Sequence, residues 1–399
     1  MNKRIEEYAE LLLKCVKLED KRYLFVEIPS FLESFVEILK DKASKYDLID
    51  VHFEIYDPFK KHELLVTLDQ ENIYKHPMFD KSIFDKYAKL DAAFIFIQSM
   101  IPGLMDDVDS EVIKNTSLHV RKTQKYFRDL YESDKLNWCI AAVPNELWAK
   151  KGLKMSLEEL WNKILDICLV SGDFKSYDKW IEKINNMIKV SDVLNNYEFE
   201  YLKYTNSLGT DLKVYLPLNH VWKTGFGSHG EICNLPTEEI FTSPDYKKTE
   251  GVVYSSKPLY YNNVLIDNFS LTFKDGKVVD YHADQGENLL KSIIETDDYS
   301  CYLGECALVS YDSPINNTGI VFNETLFDEN ASCHLALGRG FVECLDCESE
   351  LSDEDLRSNG INVSNSHVDF MIGTNDLKVV GVTRDNREIT IIENGNLII

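Results

Sequence analysis

The stretch "YLFVEIPSFLESFVEILKDKASKYDLIDVHFEIYD", residues 23–57, reads as strand, helix, strand. Residues 23–29 are an apolar run too short for a helix. In 30–47, Phe31, Phe35, Ile38 and Leu39 recur at helical spacing, with Ser30 and Ser34 as candidate caps. Residues 48–57 read as a second strand, "DAAFIFIQS" (91–99) as a third and "LNWCIAAVP" (136–144) as a fourth. Helical patterns lie between them, notably over 111–133. Such alternation predicts a parallel sheet with helices on its faces. No strand is followed by G-x-G-x-x-G or G-x-x-x-x-G-K, so dinucleotide and NTP binding have no support.

The chain has 399 residues, enough for two domains, and is 44% hydrophobic and 28% charged, as in ordinary globular proteins. Its 67 acids against 43 bases give a net charge of -24. Duplex nucleic acid and anionic membranes want a basic face, so neither is an expected partner. No apolar run is long enough to span a bilayer, and the N-terminus lacks the apolar core of a signal peptide. The cysteines number nine, and several sit in apolar runs, such as Cys139 and Cys168. They read as reduced, buried thiols of a cytoplasmic protein.

Residues 156–204 read as helical, with Ser156 and Glu159 spaced as a capping box. From about 207 the texture turns strand-rich, with hairpin signals in "KDGK" (274–277) and "ENGN" (393–396). Helical pattern returns at 286–297 and 351–358. The expected organisation is an α/β domain over 1–195, which would shape a cavity. A mainly antiparallel α+β domain over 196–399 would carry the chemistry.

That second half puts ionisable residues where apolar ones belong. "NSHVDFMIG" (365–373) holds His367 and Asp369 two apart, on one face if the segment is a strand. "NLPTEEIFTSP" (234–244) carries Glu238 and Glu239, "CYLGECALVS" (301–310) carries Glu305, and "FDENASCHLALGRG" (327–340) carries Glu329 and His334. Each has a bland reading alone: a surface residue, a satisfied core imidazole, a solvated turn. "SDEDL" (352–356) is read as a solvated face or helix start. Together the others matter more, because an unpaired buried carboxylate costs several kcal/mol. Four carboxylates and two imidazoles suit two divalent ions, Zn, Co or Mn, with one carboxylate shared.

Other chemistries fare worse. "HELLV" (62–66) lacks the second His of H-E-x-x-H, and "HGEIC" (229–233) does not fit it. "CLDC" (344–347) is a lone C-x-x-C, and G-x-S-x-G is absent.

Five stretches, "GTDLKV" (209–214), "NLPTEEIFTSP", "LGECALV" (303–309), "DENASCHLALGRGF" (328–341) and "NSHVDFMIGTNDLKV" (365–379), resemble the aminopeptidase T, aminopeptidase S and PepS-type family of dinuclear metallo-aminopeptidases. The resemblance implies a homodimer that removes N-terminal residues from short peptides by attack of a metal-bridging water. It implies Glu239, Glu305, Glu329, His334, His367 and Asp369 as metal ligands, Glu305 bridging, and Glu305 or Glu329 moving the proton. Two positions depart from that pattern. Glu238 stands where Gly is usual, and Phe341 stands where a Tyr is thought to assist catalysis. Loss of such a hydroxyl donor can cost about two to four kcal/mol of barrier. The rival expectations are another two-metal hydrolase, or a metal-stabilised scaffold or peptide-binding protein with weak turnover.

Overall fold

Four parallel strands, Tyr23–Pro29, Asp50–Tyr56, Ala93–Gln98 and Trp138–Ala142, build the first sheet of the protein in a computed structural model that describes residues 1–261, 264–347 and 351–399. Taken in chain order, strands one to four lie in the spatial order 2-1-3-4, and the short strand Asn234–Leu235 adds a fifth beside the fourth. Leu24, Phe25, Val26 and Ile28 are all buried, as expected of a strand covered on both faces. The helix that follows runs Glu33–Ala43 and buries Phe35, Val36, Leu39 and Ala43. Ser30 does not cap it: a 3₁₀ turn, Ser30–Leu32, intervenes, and no side chain caps the helix start. The 111–133 pattern resolves into helices Ser110–Thr123 and Lys125–Tyr131. The Ser156–Glu159 capping box is present, opening helix Leu157–Ile167.

Two readings need correction. Residues 199–204 are strand, not helix: Phe199–Thr205 pairs antiparallel with Asp211–Tyr215 on one side and Lys378–Thr383 on the other. Partners distant in sequence override the local pattern there. The chain also does not divide once. The two compact units are Met1–Asn185 with Gly225–Thr237, and Asn186–Thr224 with Glu238–Ile399. Residues 225–237, expected with the second domain, group with the first because Asn234–Leu235 pairs with the strand at Ile140–Ala141.

The second unit holds a nine-stranded sheet and a five-stranded sheet, with antiparallel pairing throughout. Strands Val264–Lys274 and Lys277–Gln285 form a hairpin turning at Asp275 and Gly276, whose φ of 50° and 78° match a type I′ turn. Asn394 and Gly395, at φ 50° and 76°, do the same between Glu388–Glu393 and Asn396–Leu397. Of the strand-rich stretch 252–285, residues 262–263 lie outside the described residues. Helices Glu287–Ile294 and Asp353–Ser358 match the expected ones, the latter started by a Ser352–Asp355 capping box. One apolar cluster takes in residues of both sheets, among them Phe199, Tyr204, Leu271, Leu308, Leu335 and Phe370. No helix of the described residues is long and apolar enough to cross a membrane.

Candidate metal centre

The five-stranded sheet runs His367–Met371, His334–Gly338, Leu303–Leu308, Ile240–Thr242, Lys223–Thr224. Strand alternation gives it two unlike faces. Ile240, Cys306, Leu308, Leu335, Leu337, Val368 and Phe370 turn to the apolar core. The opposite face is set by register. Glu305 lies opposite Ala336, which lies opposite Asp369; Ala307 lies opposite His334; Gly338 lies opposite His367. Residues opposite one another in an antiparallel pair share a face. The charged groups therefore stand on one surface, spaced by Ala307, Ala336 and Gly338, whose small side chains leave a hollow between them.

A local irregularity makes this possible. Leu303 pairs with Leu337 and Glu305 with Ala336, so the register slips by one across Gly304. Without the slip Leu303 and Glu305, two apart, would share a face. With it, Leu303 reaches the core and Glu305 the hollow. A Cβ at Gly304 would lie 2.2 Å from the Arg339 carbonyl oxygen and 2.4 Å from that of Gly338, which accounts for glycine just before Glu305.

In this hollow the His334 Nε2 lies 3.1 Å from a Glu239 carboxylate oxygen. The His367 Nε2 lies 3.2 Å from Glu305 and 3.2 Å from Asp369. Two triplets of ligand atoms result, Glu239–Glu305–His334 and Glu305–His367–Asp369, the atoms of each within 4.8 Å of one another, and Glu305 belongs to both. Glu329, at the end of the short helix Thr325–Glu329, is in neither triplet, but its carboxyl feels the charges of Asp369, Glu239 and Glu305. Of the six residues, Glu239, Glu305, Glu329 and His334 are buried, and His367 and Asp369 are half-buried.

The electrostatics follow from that crowding. Burial, then the Asp369 and Glu239 charges, push Glu305 up to about 7, against the pull of His367. Burial, then its acidic neighbours, hold Glu329 well above the carboxylate range. Burial would lower His334, but Glu239 outweighs it and raises the imidazole to about 9. Burial acts the same way on His367, and Asp369 and Glu305 again win, holding it high. Four carboxylates against two imidazoles are short of positive charge even with both rings protonated, so the donor set fits divalent cations. The 3.1–3.2 Å spacings are close to the ~3.3 Å between two ligands each about 2.0–2.1 Å from a tetrahedral ion.

Supporting groups escaped the sequence reading. The His367 Nδ1 is 2.7 Å from the Arg339 carbonyl oxygen and the His334 Nδ1 is 3.4 Å from that of Ser332. Donating Nδ1–H to a carbonyl leaves Nε2 toward the carboxylates. The buried Asn330 accepts from the Glu238 N–H at 2.7 Å and donates to the Leu326 carbonyl at 3.0 Å and Glu329 at 3.4 Å, tying the Glu238–Glu239 turn to Glu329. Its position next to Glu329 was the one available signal. Phe341 packs its ring 5.0 Å from that of His367 and 5.2 Å from that of Phe241.

A buried acid–imidazole cluster on one face of an antiparallel sheet, in an α/β plus α+β chain, defines a candidate metallohydrolase. The chain belongs to the thermophilic metalloprotease (M29) family, whose profile matches residues 1–397. It is 36% identical to aminopeptidase AmpS of Bacillus subtilis, over 99% of this chain and 98% of that one. It is 34% identical to aminopeptidase 2 of Geobacillus stearothermophilus, over 99% and 97%. Among solved structures, wild-type AmpT from Thermus thermophilus superposes with a TM-score of 0.87 at 28% identity, covering 100% of both chains. A 2,5-dihydroxypyridine dioxygenase from Pseudomonas putida KT2440 shares the fold alone, with a TM-score of 0.52 at 11% identity over 99% of this chain and 96% of that one.

Proposed function

We propose that this metalloprotease is an aminopeptidase that releases N-terminal residues from short peptides at a centre for two divalent cations, Zn, Co or Mn. The observation that carries the reading is the sharing of Glu305 between two ligand triplets. Glu239 and His334 would hold one ion, His367 and Asp369 the other, with Glu305 common to both. Bound ions would supply Lewis acidity toward the scissile carbonyl and a nucleophilic water at neutral pH.

The chain's own residues do the rest. Arg339 and Ser332 carbonyls orient the two imidazoles. Glu329, outside both triplets, takes the proton from the attacking water and returns it to the leaving amine. Without cations, burial and its acidic neighbours keep its carboxyl protonated; bound cations would offset those charges and leave it able to accept a proton. The activity of the relatives, carried in their names, supports peptide substrates; a homodimer is proposed from the family resemblance. Nine free cysteines, eight of them buried, fit a reducing compartment such as the cytoplasm.

The test is release of p-nitroaniline from aminoacyl-p-nitroanilides by the pure protein, with and without added Co or Zn, alongside metal analysis. Two ions per chain and metal-dependent release are expected. Glu305→Gln should lower both bound metal and rate, the rate by at least about hundredfold. Activity that survives both chelation and Glu305→Gln would overturn the reading.

A further inference from the structure

The sheet of the first unit also organises a cavity. In an open parallel sheet, ligands bind outside the carboxyl ends of the strands, where strand order reverses. Here the order 2-1-3-4 reverses beside the first strand. A cavity of about 360 Å³, open to solvent, lies at that edge. Its walls come from the segments just after three of the four strands. Phe59 and His62 follow Asp50–Tyr56; Leu104, Asp106 and Asp107 follow Ala93–Gln98; Leu147 and Lys151 follow Trp138–Ala142. The segment after the first strand joins them, because Phe31 packs its ring 6.3 Å from that of Phe59.

The lining has a definite chemistry. Phe59 is 45% exposed and Phe31 37%, an uncovered aromatic pair beside the apolar wall of Leu104 and Leu147. His62 Nε2 is held 2.6 Å from Asp107. Among the described residues, Lys151 and Asp106 have no ion-pair partner, so the cavity offers one free cation and one free anion around apolar side chains. The Asp57 side chain already accepts from the N–H groups of Phe59 and Lys60 at the neighbouring helix start, so that terminus is not a free anion seat.

We propose that the first unit binds, in this carboxyl-edge cavity, a zwitterion with an apolar body, the chemistry of a free apolar amino acid or dipeptide. The ligand's carboxylate faces Lys151, its ammonium faces Asp106, and its side chain covers Phe59. The site is separate from the acid–imidazole cluster, and occupancy does not depend on the peptidase reading.

Isothermal titration of the full chain with L-phenylalanine tests it, with N-acetyl-L-phenylalanine amide as the uncharged control. Saturable binding of the amino acid is expected, and weaker binding of the control. Lys151→Glu and Phe59→Ala should each weaken binding by at least about tenfold. Both side chains are exposed, and Lys151→Met is a milder variant that removes the cation alone. The part of the L-phenylalanine binding that depends on Lys151 should persist in Glu305→Gln, which disables the other site. Three results overturn the proposal: no saturable binding, equal binding by the Lys151 variants, or binding lost in Glu305→Gln but kept in Lys151→Glu.

Discussion

Phe341 is the residue whose chemistry departs most from its surroundings. Its ring lies half-buried against His367, with no hydroxyl to offer a developing oxyanion. Phe341→Tyr adds one at the rim of the acid–imidazole cluster with little change in volume. The expected result is a rise in kcat of up to about tenfold with KM nearly unchanged, because the new donor acts chiefly in the transition state. Steady-state kinetics at constant bound metal checks this; an unchanged kcat shows that another group already fills the role. At this scale much was legible beforehand, because a carboxylate in an apolar run is conspicuous in any sequence. Glu305 in "LGECALV" and the pair in "SHVDFM" stand out from the sequence alone. The backbone carbonyls of Arg339 and Ser332 were not legible, since every residue has a carbonyl and only the fold says which one meets an imidazole.

At the level of the strand, Gly304 and Ala336 shape the site without supplying a ligand. Gly304→Ala forces a Cβ onto two backbone oxygens, at 2.2 and 2.4 Å, where no flexible side chain can yield. A loss of about 2–3 kcal/mol is expected in denaturant titration, together with lower bound metal. Wild-type stability and metal content would show that the register slip tolerates a side chain. Ala336 lies between Glu305 and Asp369 in register, so Ala336→Val places branched methyls in the hollow. Metal affinity should fall by about tenfold or more while the fold loses only about 1–3 kcal/mol. Unchanged affinity in a metal titration would mean that the hollow is wider than this register implies. The alternation of "HVDFM" was readable from its period of two. The slip at Gly304 was not, because a one-residue offset shows only when the partner strand is in place.

For the whole molecule, a cation held only by the folded cluster stabilises the native state by mass action. Metal at about one hundred times its Kd adds about 2.7 kcal/mol to the unfolding free energy. Chelation should lower the thermal midpoint, and readdition of Zn or Co should restore it. A midpoint indifferent to chelator would place the cations outside the folded core.

The α/β beginning of the chain follows from local pattern: apolar runs of strand length alternate with helical periods, and each bias acts within a few residues. The two asparagine- or aspartate-glycine hairpins follow for the same reason, as their φ values bear out. Strand Phe199–Thr205 and the return of residues 225–237 to the first unit were beyond reach, because each depends on a partner strand contributed from elsewhere in the chain. The same holds for the meeting of Glu239, Glu305, His334, His367 and Asp369, which lie up to 130 residues apart: hydrogen-bonded registers bring the last four to one face, and Glu239 joins them from just ahead of strand Ile240–Thr242. Residue chemistry is local and can be read in a line; register and crossover are long-range choices, made when separate segments pair and bury a common core.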